Sequence, residues 1–394
     1  MKRFLSLALV MVLALAVALP ALAADPAKLK VWGSAEDQDM LKQMVEAYNA
    51  SSPEFPVEVE FGVVGEPDAS NRYLEDPGAA ADVFAFPNDQ IVDLVNAGAL
   101  FEVTRNREAI EAANVPGAVE AATVGEFLYA YPMTADNGYF LFYDKSVISD
   151  EQVQTLDGIL EAAQTAGKKM LMDVSNGWYI AGFFLGAGGK LAIENGVQTT
   201  DFNNERGVAV GEAIKAFTAH PAFMTGDDAI ITGGIGDTIA AAVTGAWNAA
   251  AIEEKLGENY AATKLPTFTL NGEQVQMGSF GGYKLMGVNS QTQSPEAAMA
   301  LAEWFTNEEN QLKRFELRKL GPSNLKAGES DAVKQNIALA ALAAQSQFAV
   351  SQKGVMGSYW GPAEAFGTTM EAKDYSKDIQ TLLDEMVASI TAAQ

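Results

Sequence analysis

Four aromatic groups beside glycines are the residues of this sequence best placed to do chemistry: Trp178-Tyr179 after Asn176-Gly177, Trp247 after Gly245, Tyr283 after Gly281-Gly282, and Tyr359-Trp360 before Gly361-Pro362. Glu36-Asp37, Asn88-Asp89-Gln90 and Asp136-Asn137 add carboxylates and amides where strands are expected to end. Flat aromatic faces desolvate C–H surfaces, and carboxylates and amides orient hydroxyls. The combination suits a ligand with an apolar ring face and a hydroxyl fringe, as a sugar has. Core packing is the simpler account of any single aromatic. Their joint placement beside glycines and polar residues favours a polar-rimmed aromatic cleft at strand ends.

Other chemistries fit less well. Gly186-Ala187-Gly188-Gly189-Lys190 lacks the Ser or Thr that follows a P-loop lysine, and Gly233-Gly234-Ile235-Gly236 does not clearly sit between a strand and a helix, so both read as loop glycines. The one histidine, His220, precedes Pro221 with no nucleophile motif around it, which weakens serine-hydrolase readings. With no cysteine and a single histidine, thiol chemistry, disulfides, zinc-thiolate sites and iron–sulfur clusters are excluded; no metal and no cofactor is expected. The 51 acidic residues provide many carboxylate pairs, none preferred for glycoside hydrolysis. Against 26 basic residues they give a formal charge of -25, which repels phosphate backbones, so nucleic acid is not an expected partner.

The elements that must position these residues alternate. Leu29 to Trp32, Val57 to Phe61 and Ala81 to Phe86 read as strands. Met40, Leu41, Met44, Val45 and Tyr48 recur at helical spacing, and Ile91 to Val95 begins a helix that Gly98 can stop. Strands follow at Phe127 to Met133, Phe140 to Tyr143 and Lys169 to Met172, with a helix over Leu156 to Gln164 ended by Gly167. Asn204 to Ala219 and Asp237 to Ala242 read as helical, and Thr263 to Phe268 and Lys284 to Val288 as extended. Ser294-Pro295-Glu296 opens a helix with an N-cap serine and proline at N1. This rhythm predicts α/β layers. At 394 residues the chain exceeds what one core normally serves, and no Pro/Ser-rich linker divides it, so two domains joined by short crossovers are expected. Asp136-Asn137-Gly138 and Gly281-Gly282 are candidate crossings.

The first residues read as an export signal. Met1-Lys2-Arg3 is basic, Phe4 to Leu19 is apolar, and Ala21-Leu22-Ala23 fits a cleavage site, so residues 1–23 are expected to be removed. The apolar run is shorter than the roughly 20 residues that span a bilayer. Without cysteine, a lipid anchor is not expected, and the protein should be periplasmic or extracellular.

The order and spacing of several fragments resemble the extracellular solute-binding proteins of ABC importers, in particular the maltose/maltodextrin-binding group. They are Leu29-Lys30-Val31-Trp32, Ala81 to Phe86 leading into Asn88-Asp89, Ala97-Gly98-Ala99-Leu100, Tyr129-Ala130-Tyr131-Pro132 before Asp136, and Phe142-Tyr143-Asp144-Lys145. Gly236-Asp237-Thr238 through Trp247, Leu265-Pro266-Thr267-Phe268, Ser294 to Ala298, and Tyr359-Trp360 continue the series. The resemblance covers essentially all of the chain after the signal. It implies an α/β, bilobed, type II periplasmic-binding-protein fold whose two lobes are joined by three hinge crossovers, near Thr134 to Gly138, Phe280 to Leu285 and Lys326 to Ser330. The lobes would be 24–134 plus 285–326 and 138–280 plus 330–394.

By the same resemblance Trp247 and Trp360 match aromatic platforms, Tyr179 and Phe86 match further aromatic contacts, and Glu36, Asp89 and Asp136 match carboxylates that accept sugar hydroxyls. Asp37, Gln90, Trp178 and Tyr283 complete the expected site. Asp37 stands where the best-known maltose binder has a lysine, Gln90 where it has an arginine, and Asn176-Gly177 replaces a carboxylate-bearing segment. Such changes alter which hydroxyls the cleft can read, since an unpaired buried one costs about 1–3 kcal/mol. The expected function is capture of a maltodextrin-type oligosaccharide, without catalysis, and delivery to permease subunits, by a monomer. A secreted glycoside hydrolase and a same-fold binder of a non-sugar solute are the alternatives.

Overall fold

The strand Tyr131–Asp144 organises the molecule. In this computed structural model, which describes residues 25–392, its first half pairs antiparallel with Ser279–Val288, from Met286↔Tyr131 to Gly281↔Gly138. Its second half pairs antiparallel with Ile239–Gly245, from Gly245↔Tyr139 to Ala241↔Tyr143. The expected signal, residues 1–23, lies outside the described residues.

Around this pair a ten-stranded sheet forms. On the Ser279–Val288 side come Val83–Pro87, Ala27–Gly33 and Val57–Val63, the last two parallel. On the other side come Ile239–Gly245, Lys169–Leu171 and Phe223–Met224. Two cores result. One holds Leu29 to Met133 together with Leu285 to Phe305. The other side holds Tyr139 to Phe280 with Val355 to Ile390, and a smaller cluster around Phe140, Phe142, Ile239 and Ile252. Tyr139, Leu141 and Tyr143 face the larger of these, while Phe140 and Phe142 face the smaller, as the two-residue period of a strand requires. Helices cover both faces, which is why the strand reads as a continuous apolar run.

The chain is thus bilobed, with both long strands passing from one lobe to the other. A third segment runs beside them: Ala135 N–H donates to Gly321 O (2.9 Å), and Thr134 bridges Pro322. Residues 326–330 lie in the helix Leu325–Gly328 and the turn after it.

Most expected elements form. Gly98 (φ +66°) and Gly167 (φ +68°) follow the helices Ile91–Asn96 and Leu156–Thr165 in left-handed geometry that a side chain would oppose. The exception is Asp237 to Ala242, expected to be helical. It enters the strand Ile239–Gly245, buried along its whole length between two cores where three small alanines fit. Burial between layers overrides the helix preference of alanine. Phe127 to Met133 also differs, because Phe127–Leu128 is a separate short strand and the long strand starts at Tyr131. Ser294 occupies the N-cap before Pro295, but its side chain makes no capping bond.

Candidate functional site

Three aromatic residues meet on the second lobe. Asn176 caps the helix Gly177–Gly186 by accepting from Trp178 N–H at 2.9 Å, which places Trp178 and Tyr179 in the first turn. Gly177 packs against Trp360, whose carbonyl would lie 3.1 Å from a Cβ at 177. The Trp178 ring is 5.2 Å from Tyr179, 4.6 Å from Tyr139 and 5.9 Å from Trp247. Trp247 sits on the turn Ala246–Asn248 directly after the strand Ile239–Gly245. Residue 245 has to be glycine, because a Cβ there would lie 1.9 Å from the Trp247 ring.

The indole N–H groups are tied down. Trp247 Nε1 donates to Asp228 Oδ2 at 2.9 Å, and Asp228 Oδ1 accepts from Thr244 Oγ1 (3.0 Å) and Asn248 Nδ2 (2.6 Å). Asp227 caps the helix Asp228–Gly234 through Ile230 N–H and so presents Asp228 at its start. Trp178 Nε1 donates to Gln352 Oε1 at 3.0 Å. With their polar edges satisfied, the partly exposed Trp178 and Trp247 offer apolar ring faces.

Polar groups of both lobes meet beside these rings. Gln352, almost fully buried, donates from Nε2 to Asp89 Oδ1 at 2.7 Å, so one amide links the Asp89 turn to Trp178. Burial raises the Asp89 carboxyl to about 7 against the opposing hydrogen bond from Gln352. Asp136 is buried and accepts from Gly321 N–H at 2.6 Å; burial raises its pKa, with Lys284 opposing most strongly. Lys284 pairs with Glu66 at 3.6 Å and lies 5.4 Å from the centre of the Trp247 ring. Beside Gln352, Lys353 Nζ donates to Thr123 O at 2.9 Å and to Glu120 O.

The structure brings together Trp178, Trp247 and, through Gln352, Asp89, while Tyr179 beside Trp178 is buried in the core of that lobe. Trp360 lies next to Gly177 and edge-on to Phe280 at 5.7 Å. Glu36 is exposed in the middle of the turn Ala35–Asp37. Four expected site residues are occupied otherwise. Asp37 is buried, its two oxygens accepting from Arg314 Nη1 and Arg318 Nε at 2.9 Å each, so it anchors the helix Glu308–Arg318. Phe86 is a core residue, fully buried in the strand Val83–Pro87 and 5.7 Å from Phe84. Gln90 ties down the loop before it, accepting from Ser70 N–H (3.0 Å) and donating to Pro67 O (2.6 Å). Tyr283 sets its hydroxyl against Gly117 on the helix Pro116–Ala121, while its neighbour Lys284 reaches Trp247.

An open cavity of about 530 Å³ lies beside Lys353, lined by Pro116, Val119, Glu120 and Thr123 among others. It contains none of the clustered aromatics. Among the described residues no group of three or more His, Cys, Asp or Glu could hold a metal ion, and no helix is long and apolar enough to cross a membrane.

The sequence pattern of the bacterial extracellular solute-binding protein family matches residues 43–341. The chain belongs to that family. In three dimensions this solute-binding protein is similar to a structure solved with acarbose, at 29% identity and TM-score 0.85 over 94% of this chain and 100% of the other. It is also similar to the maltodextrin binding protein MalE1 from L. casei BL23 without ligand (26%, TM-score 0.76, 93% and 99% covered). The Thermus thermophilus maltotriose binding protein bound with maltotriose shares the fold (19%, TM-score 0.79, 93% and 99% covered). No curated protein matches by sequence. The fold is the bilobed type II arrangement of periplasmic binding proteins.

Sequence reasoning about this solute-binding protein missed Asp228, Lys284, Glu66 and Gln352. Lys284 carried a signal, as the one charge in the otherwise uncharged strand Ser279–Val288. Asp228 followed another aspartate at a helix start. Gln352 carried none, since its partners are 174 and 263 residues away.

Proposed function

We propose that this solute-binding protein captures a maltodextrin-type oligosaccharide at the lobe junction and delivers it to the permease of an ABC importer. The observation that carries this reading is the pair of rings Trp178 and Trp247, their indole N–H groups fixed by Gln352 and Asp228, with Asp89 of the other lobe joined to them through Gln352. Ring faces held in place lose little freedom when a sugar stacks on them, and polar groups across the junction can order its hydroxyls. Relatives whose names mention acarbose, maltodextrin and maltotriose support the choice of sugar.

Function here is binding without bond breaking. A ligand that touches both lobes shifts their arrangement only as far as it prefers the closed form. The family is extracellular, which supports export; the absence of cysteine supports a form without a lipid anchor. A thermal-shift screen against maltose, maltotriose, longer maltodextrins and small anions tests the proposal, because a ligand of the native state raises apparent stability by mass action. Stabilisation by maltodextrins with no shortened products is the expected result. Stabilisation by another solute alone would replace the substrate, and product formation would replace binding with hydrolysis.

A further inference from the structure

Lys284 is the feature the sugar reading does not yet use. It is buried, and the strand pairing places it beside Thr134 and Pro87, on the first lobe's side of the junction. Burial alone would make the ammonium easier to deprotonate, but Glu66, Asp136 and Asp37 outweigh it and raise the pKa above the ordinary lysine value. The side chain is therefore a cation. From the first lobe it reaches across to the second, where its Nζ stands 5.4 Å from the centre of the Trp247 ring while keeping Glu66 at 3.6 Å.

That ring is held in place on two sides. Asp228 holds its N–H at 2.9 Å, and Gly245 lies directly against it. A cation within about 6 Å of a ring centroid lies against the ring's face, where a stacking group would also have to come.

We propose that Lys284 and a bound sugar compete for the same face of Trp247, which makes Lys284 an affinity-determining residue of the site. The inference rests on the sugar-binding reading. The ammonium that leaves the ring keeps Glu66 and remains near Asp136, so displacement gives up the contact with the ring and not the ion pair. Binding is accordingly weakened by a modest factor and not abolished.

The experiment is NMR on full-length protein labelled with ¹³C at the lysine Cε, alongside calorimetry with maltotriose. The Lys284 ε-methylene resonance is assigned by its absence in Lys284→Met or, should that variant not fold, in the charge-keeping Lys284→Arg. The Trp247 ring current should shift it upfield, and saturation with maltotriose should return it towards the position of an exposed lysine. Lys284→Met should bind maltotriose about three- to tenfold more tightly, the effect of losing one cation–π competitor. An ε-methylene that keeps its upfield shift at saturation, or a folded Lys284→Met variant with equal or weaker affinity, overturns the proposal and leaves the sugar reading standing. Absence of binding heat from wild-type protein with every maltodextrin removes the sugar reading, and this proposal with it.

Discussion

The side-chain amide of Gln352 donates to the carboxylate of Asp89 across 2.7 Å, joining residues 263 positions apart in the chain. Its other end accepts the Trp178 indole N–H at 3.0 Å. A single buried amide therefore couples a carboxylate of one lobe to an aromatic ring of the other.

Removing that amide leaves two polar partners without it. Gln352→Leu should lower unfolding free energy by about 1–3 kcal/mol, the range for unsatisfied buried polar groups. Urea denaturation measures this directly. Maltotriose affinity should fall as well, because Trp178 loses the contact that fixes its indole.

Asp89 predicts a pH dependence with a definite sign. Its folded pKa of about 7 lies above the roughly 3.9 of an unfolded aspartate, so the folded state holds that proton more tightly. The resulting stability is fully present below about pH 4 and is lost as pH rises through about 7. Asp89→Asn removes this titration. Thermal denaturation between pH 5 and 8 should show the variant gaining stability relative to wild type as pH rises. A difference that stays flat across that range contradicts the assignment.

Asp37 should matter to folding more than to ligand. Asp37→Ala leaves the buried Arg314 guanidinium without its acceptor, and breaking a buried pair on one side costs about 3–5 kcal/mol. Chemical denaturation should show that loss, while the folded fraction binds maltotriose nearly as well as wild type. Unchanged stability with lost affinity would return Asp37 to the sugar site.

Much of the fold was legible because strands buried on both faces advertise themselves as apolar runs, as Phe140 to Tyr143 does. Glycines after helices were equally plain at Gly98 and Gly167. The strand Ile239–Gly245 was misread because three consecutive alanines favour a helix locally, and only the layers on either side make them a strand. In the candidate site the aromatics at 178, 179 and 247 were readable from their glycine and asparagine neighbours, which serve as a cap and a close approach. Phe86 and Asp37 show the limit of such reading. Residue type places an aromatic or a carboxylate near a strand end, but whether it faces a cleft, a core or a pair of arginines depends on helices far along the chain. Gln352 depends wholly on such distant partners, 174 and 263 residues away.

Calorimetric titration of maltotriose into wild type and Trp247→Ala measures whether the fixed aromatic platform at the lobe junction holds a sugar. Wild type should bind saturably and without hydrolysis, and the variant at least about tenfold more weakly, equivalent to about 1.4 kcal/mol, with its melting temperature nearly unchanged. Equal affinity in the two proteins, or no binding of any maltodextrin by wild type, would contradict that role of the platform.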